Sequence, residues 1–159
     1  MCGIVGIASK KGNALECLID GLSHLEYRGY DSSGVAYLKE GNINIVRSVG
    51  RISNLKEKLN FEKSNLGTGH TRWATHGKPN ENNAHTHRVN KITLVHNGII
   101  ENFIELKKEI IEKGYSFKSE TDTEVASAYI DYLYSIEKDM VKVLSKATKI
   151  FIGICIWNN

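Results

Sequence analysis

The chain opens on a strand. Residues 2–8 form a short apolar run of small and β-branched side chains, which reads as a buried strand starting at the terminus itself. Directly behind it, Leu15, Leu18, Ile19, Leu22 and Leu25 recur at three- and four-residue spacing, so an amphipathic helix from about Asn13 to Leu25 covers that strand. The fold therefore has to bury a leading strand beneath a helix, with Cys2 at the strand's first position.

Further along, the polar segment Glu26 to Gly34 reads as a loop entering a strand near 34–39. Glu40-Gly41-Asn42 then turns the chain into a strand near 43–49, a hairpin. Ile52, Leu55 and Leu59 mark a short helix over 51–60. Strands near 66–74 and 91–96 flank a long polar stretch containing Thr75-His76-Gly77-Lys78-Pro79-Asn80, and loops of that length are more often functional than accidental. Phe103, Ile104, Leu106, Ile110 and Ile111 define a helix stopped by Gly114. Thr121-Asp122-Thr123-Glu124 has capping-box spacing, so a helix starts there and runs to about Tyr134. A short helix at 139–147 and a last strand at 150–157 complete the pattern. Hairpins dominate over regular strand-helix-strand alternation, which gives an α+β class of largely antiparallel sheets covered by helices.

Composition removes several functions. With 41% hydrophobic and 25% charged residues, 159 residues suit one soluble domain, and no apolar stretch approaches the ~20 residues that cross a bilayer. The start has no basic lead or long apolar run of a secretory signal, so a cytoplasmic location is expected. A net charge of +3, from 21 basic and 18 acidic residues, is scattered rather than gathered in a stripe, which gives no support for nucleic-acid binding. Cys2, Cys17 and Cys155 have neither zinc-site spacing nor the even count of a disulfide framework. His85 and His87 form a His-x-His pair, but no third ligand sits at zinc spacing, so no metal and no cofactor are expected.

Cys2 carries the sharpest chemistry. A small residue after Met1 permits removal of the methionine, which would leave a thiol beside a free α-amine. That amine has an ordinary pKa of about 7.7–8.0, close enough to neutrality to accept the thiol proton, where a lysine near 10.4 would stay protonated. Taken alone, a cysteine at this position is more often an inert residue at a strand start.

Several segments then point the same way together. Met1-Cys2-Gly3-Ile4-Val5-Gly6, LEYRGYDSSG at 25–34, GHTRWATHG at 69–77, HNGIIEN at 96–102 and SETDTE at 119–124 fall in order along the chain. From residue 1 to about 148 the chain resembles the glutaminase domain of the glutamine–fructose-6-phosphate aminotransferase family. The resemblance implies an N-terminal-nucleophile hydrolase fold, a four-layer αββα sandwich. It also implies a class II glutamine amidotransferase reaction, in which Cys2 attacks the glutamine side-chain amide, forms a γ-glutamyl thioester and releases ammonia.

Site residues follow from that resemblance. Asn97 and Gly98 would donate to the developing oxyanion, with a tight hairpin turn as the plain alternative for an Asn-Gly pair. Arg72 would hold the glutamine α-carboxylate with its planar fork, and Asp122 would take the α-amino group. The alternatives are a surface ion pair for Arg72 and favourable placement at a helix N-terminus for Asp122. Trp73, Thr75 and His76 match the segment that folds over substrate. Arg28 and Asp31 would shape the pocket from behind the nucleophile, or simply brace their own loop.

The match has departures. His85-Thr86-His87 stands where the family usually has His-Pro-His, and the IFIGICIWNN segment after Lys149 leaves the family pattern. The family's glutaminase domain continues further and is followed by a sugar-phosphate isomerase domain, which binds fructose 6-phosphate in an oligomeric full-length enzyme. The expectation is a partial glutaminase domain over 1–159 without that isomerase domain, incomplete at its C-terminus, as a fragment or after a frame change near residue 150. Its product in the full-length family serves glucosamine 6-phosphate synthesis. A truncated, inactive glutamine-binding or interaction module is the alternative.

Overall fold

The computed structural model describes residues 2–74 and 78–158, apart from the side chains of 154–158. The expectations for Thr75 and His76 therefore lie outside the described residues. In chain order the elements are β1 (Gly3–Ala8), α1 (Ala14–Leu25), a 3-10 turn (Glu26–Arg28), β2 (Ser32–Lys39), β3 (Asn42–Val49) and α2 (Ile52–Lys58). Then follow β4 (Leu66–Arg72), β5 (His87–Val89), β6 (Ile92–Ile100), α3 (Phe103–Glu112), α4 (Asp122–Glu137), α5 (Met140–Ile150) and β7 (Gly153–Asn158).

The strands form two sheets, ordered β1-β4-β2-β3 and β5-β6-β7, and every pairing within them is antiparallel. Each sheet buries its outer face against helices. On the first, α1 lies over β1 and β4 and buries Leu15, Leu18 and Leu22 completely, beside Val35, Ile52 and Leu55. Each such leucine contributes about 1.5–3 kcal/mol relative to exposure. On the second, α4 lies against β5 and β6 while α3 and α5 pack on α4. Enclosed by both, α4 has Asp122 through Asp131 buried in an unbroken run, rather than the single stripe of a surface helix.

Near the head of β1 the inner faces meet through polar groups. His70 on β4 and the backbone carbonyl of His96 on β6 are 3.0 Å apart, a hydrogen bond from one sheet to the other. The result is the expected αββα order of helix, sheet, sheet and helix.

Three details differ from the sequence reading. β5 is three residues long, too short for any period to register, where the sequence pattern predicts loop. β6 extends to Ile100, so the Asn97-Gly98 pair lies inside a strand whose register on β7 is Asn97 opposite Ile156 and Gly98 opposite Cys155. The hairpin-turn alternative for that pair is thereby excluded. At α4, the Thr121 hydroxyl accepts from the Glu124 N–H at 3.3 Å as a cap should, but the Glu124 carboxylate does not return to Thr121. It accepts instead from the Ser119 N–H and hydroxyl, both at 2.7 Å, and from the Lys118 N–H.

Candidate active site

The register of β1 on β4 sets the position of the thiol. Gly3 lies opposite Thr71 and donates its N–H to the Thr71 hydroxyl at 3.1 Å, so Cys2 is carried alongside Arg72 and Trp73. The Trp73 N–H donates to the Cys2 sulfur at 3.4 Å, the Cys2 N–H donates to Asn97 Oδ1 at 3.4 Å, and Arg28 Nε donates to the Cys2 carbonyl at 3.2 Å. Three separate segments thus hold one residue. Burial pushes the thiol above its ordinary pKa, with the Trp73 hydrogen bond acting the other way. A thiol in that state needs a base to become a nucleophile.

Asn97 and Gly98 face Cys2 from β6. Because Asn97 Oδ1 is engaged by the Cys2 N–H, Nδ2 is the donor it has for a substrate oxygen. Gly98 has φ 148°, a backbone setting that favours glycine.

Arg72 ends β4 opposite Ser32 and is only 3% exposed, which argues against a surface ion pair. Burial lowers its pKa, while the charges of Asp31, Cys2 and Asp122 act to raise it. Asp31 braces the same strand end. Its N–H donates to the Arg72 carbonyl at 3.3 Å, and its carboxylate accepts from the Ala74 N–H and, at 3.1 Å, from the Ser32 hydroxyl. Gly29 lies so close that a Cβ there would come within 2.7 Å of the Arg72 carbonyl carbon. Arg28 and Asp31 therefore touch the backbone around the thiol rather than only their own loop.

Asp122 is the first residue of α4 and is buried. Its carboxylate turns toward β6, accepting the Ile100 N–H at 3.0 Å, with the Thr123 hydroxyl at 3.4 Å and His96 Nδ1 at 3.9 Å. Placement at a helix N-terminus alone does not describe those contacts.

Behind the carboxylate lies a layer that the sequence reading missed. His85 and His96 each share a hydrogen bond with the Thr123 hydroxyl, at 2.8 and 3.3 Å, and His85 stacks on His70 with ring centroids 4.1 Å apart. His87 Nε2 bonds the Thr121 hydroxyl at 3.0 Å, so the two members of the His-x-His pair address different threonines instead of one point. Burial holds all four imidazoles below their ordinary range, with His70 and His87 at about 3. The available signal was the two-residue spacing shared by 85/87 and 121/123.

Cys2, Arg72, Trp73, Asn97, Gly98 and Asp122 line one cleft of about 230 Å³, together with His85, His96, Ile99, Thr121 and Thr123. Trp73 forms a wall that is 49% exposed. A thiol, a guanidinium, a carboxylate and an amide donor in one small cleft suit a zwitterionic ligand with an electrophilic side chain. A second cavity of about 280 Å³ between the sheets is lined mainly by apolar groups such as Leu38, Ile43, Ile92 and Met140, with no cysteine, arginine or carboxylate among its described lining.

Comparison with known proteins adds family context. A family described as "Glutamine amidotransferase domain" matches residues 70–158, a range that passes Lys149, where the sequence reading ended the likeness. The chain is 53% identical over 152 residues to glutamine–fructose-6-phosphate aminotransferase (isomerizing) of Clostridium acetobutylicum, a match covering 92% of this chain and 25% of that protein. It is 52% identical over 135 residues to the protein of the same name from Pyrococcus horikoshii, covering 82% of this chain and 22% of that one. The chain thus spans about a quarter of the length of the curated relatives it matches. Its fold matches the glutamine phosphoribosylpyrophosphate amidotransferase of B. subtilis with TM-score 0.82 at 21% identity, over 99% of this chain and 34% of that one. At that identity the likeness is one of fold.

Proposed function

This chain belongs to the glutamine amidotransferase domain family, and from that premise we propose that it is a glutaminase unit, a class II amidotransferase domain over 1–159, with Cys2 as its nucleophile. Removal of Met1 turns the Cys2 nitrogen into an α-amine that takes the thiol proton. The thiolate adds to the glutamine side-chain carbonyl carbon. The resulting oxyanion is held by Asn97 Nδ2 and the Gly98 N–H. When the tetrahedral intermediate collapses, the C–N bond breaks and the protonated amine returns its proton to the departing nitrogen, giving ammonia and a γ-glutamyl thioester. Water, deprotonated by the same amine, then cleaves the thioester to glutamate and restores the thiol.

Substrate binding falls to the ends of the cleft. Arg72 pairs with the α-carboxylate and Asp122 with the α-ammonium, while Trp73, Thr75 and His76 cover the bound molecule. Arg28 and Asp31 keep the nucleophile's surroundings in place. In the longer relatives the ammonia would convert fructose 6-phosphate to glucosamine 6-phosphate at a separate isomerase domain. The observation that carries this reading is the meeting of Cys2, Arg72, Asn97 and Asp122 around one cleft, although they come from four distant stretches of chain.

Glutamine hydrolysis by purified protein, beside Cys2→Ala and a form that retains Met1, tests it. The parent releases ammonia and both controls are silent. Equal rates in all three would overturn the N-terminal nucleophile, and calorimetric glutamine binding without turnover would favour a binding module instead.

A further inference from the structure

Asn83 is not among the residues lining the cleft, yet it is only 1% exposed in the connection between β4 and β5. Both polar ends of its side chain are engaged. Nδ2 donates to the Lys78 carbonyl at 3.0 Å and to Glu120 Oε2 at 3.0 Å, and Oδ1 accepts the Glu120 N–H at 2.9 Å. Its own N–H donates to Asn80 Oδ1 at 2.8 Å, closing the turn beneath it. One amide therefore folds residues 78–83 on themselves and fastens them to the residue before Thr121.

The fastening is the first of three. Asn83 bonds Glu120, His85 bonds Thr123 and His87 bonds Thr121, so alternate residues of one segment dock on the stretch that leads into α4. A slip of this docking would move His85 off Thr123, whose hydroxyl contacts the Asp122 carboxylate. Only an amide offers both the donor pair and the acceptor used here, since aspartate would set a carboxylate against Glu120 and the Lys78 carbonyl.

We propose that Asn83 is a positioning residue that sets the register of residues 78–87 on the Glu120–Thr123 segment and so aims Asp122 into the cleft. Its consequence for glutamine rests on the glutaminase reading. The docking itself does not.

The test uses Asn83→Ala and Glu120→Ala in the full chain. Without ligand, amide hydrogen exchange over 78–85 and 118–121 speeds up by about tenfold or more in Asn83→Ala, while exchange in α1 stays at the parent rate. With glutamine, KM rises by about tenfold and kcat changes far less, and alkylation of Cys2 by iodoacetamide keeps its rate. Glu120 is exposed, so Glu120→Ala folds and shows a smaller shift of the same kind, and the double variant is no worse than Asn83→Ala alone. Unchanged exchange in both segments, a loss confined to kcat, or slowed Cys2 alkylation would overturn the proposal. If Asn83→Ala does not fold, Glu120→Ala decides it by the same readouts. A parent that hydrolyses no glutamine defeats the glutaminase reading instead, and the exchange result still decides the docking.

Discussion

The Cys2 N–H donates to the Asn97 side-chain oxygen at 3.4 Å, joining the head of β1 to the middle of β6. Those strands belong to different sheets. The nucleophile and its proposed oxyanion donor therefore meet only when the two sheets are docked, and the cleft depends on packing between layers as much as on any motif.

Asn97→Ala follows from this pairing. The substitution removes one of two proposed donors to a charge that exists only in the transition state, so kcat falls by about 10²–10³ while KM moves far less. Steady-state kinetics on ammonia release measures it. A variant that loses only affinity would assign Asn97 to ground-state binding.

Arg72→Lys keeps the charge and removes the planar fork. KM for glutamine rises by about tenfold or more, with a smaller change in kcat, because an ammonium cannot make two parallel bonds to a carboxylate. Asp122→Asn moves KM in the same direction. A kcat effect alone in either variant would contradict the assignment of these residues to the two ends of the substrate.

What the sequence displayed depended on length and on period. β1, α1 and the β2–β3 hairpin were legible because each repeats its pattern for six residues or more. β5 was not, having only three residues to show one. The end of β6 was hidden because His96-Asn97-Gly98 is polar and ends in a turn-like dipeptide, and the strand persists there through pairing with β7. At the site, Cys2, Arg72 and Asp122 were visible as members of motifs. The hydrogen bonds of His85, His96 and Thr123 were not, although His96 and Thr123 lie in two of those motifs, because they form only once α4 packs against β6.

Gly29→Ala tests the brace behind the thiol. Gly29 is extended, at φ −176°, so the objection is one of space: the new methyl would meet the Arg72 carbonyl carbon at 2.7 Å and the Trp73 nitrogen at 2.9 Å. Those are backbone atoms and cannot swing aside. Stability falls by about 1–3 kcal/mol. Activity falls further than stability explains, because the Trp73 N–H that moves is the one donated to the Cys2 sulfur. Thermal unfolding beside kcat/KM separates the two effects, and an unchanged kcat/KM in a destabilised variant would show that Gly29 does not position the Trp73 N–H.

The buried imidazoles make the folded protein sensitive to acid. His70 and His87 titrate at about 3 in the folded protein because burial penalises the charged ring, and His85 lies well below its ordinary 6.5 for the same reason. Between about pH 6.5 and pH 3 the unfolded chain thus binds more protons than the folded one, so stability is full above that window and declines as pH falls through it. Each ring contributes up to about 1.4 kcal/mol per pH unit. The urea midpoint should therefore fall steadily from about pH 7 to pH 5. His87→Gln, which keeps a donor for Thr121 but cannot titrate, lowers the midpoint at neutral pH and flattens the decline below it. Parallel declines in parent and variant would mean that the acid sensitivity resides elsewhere than in this histidine layer.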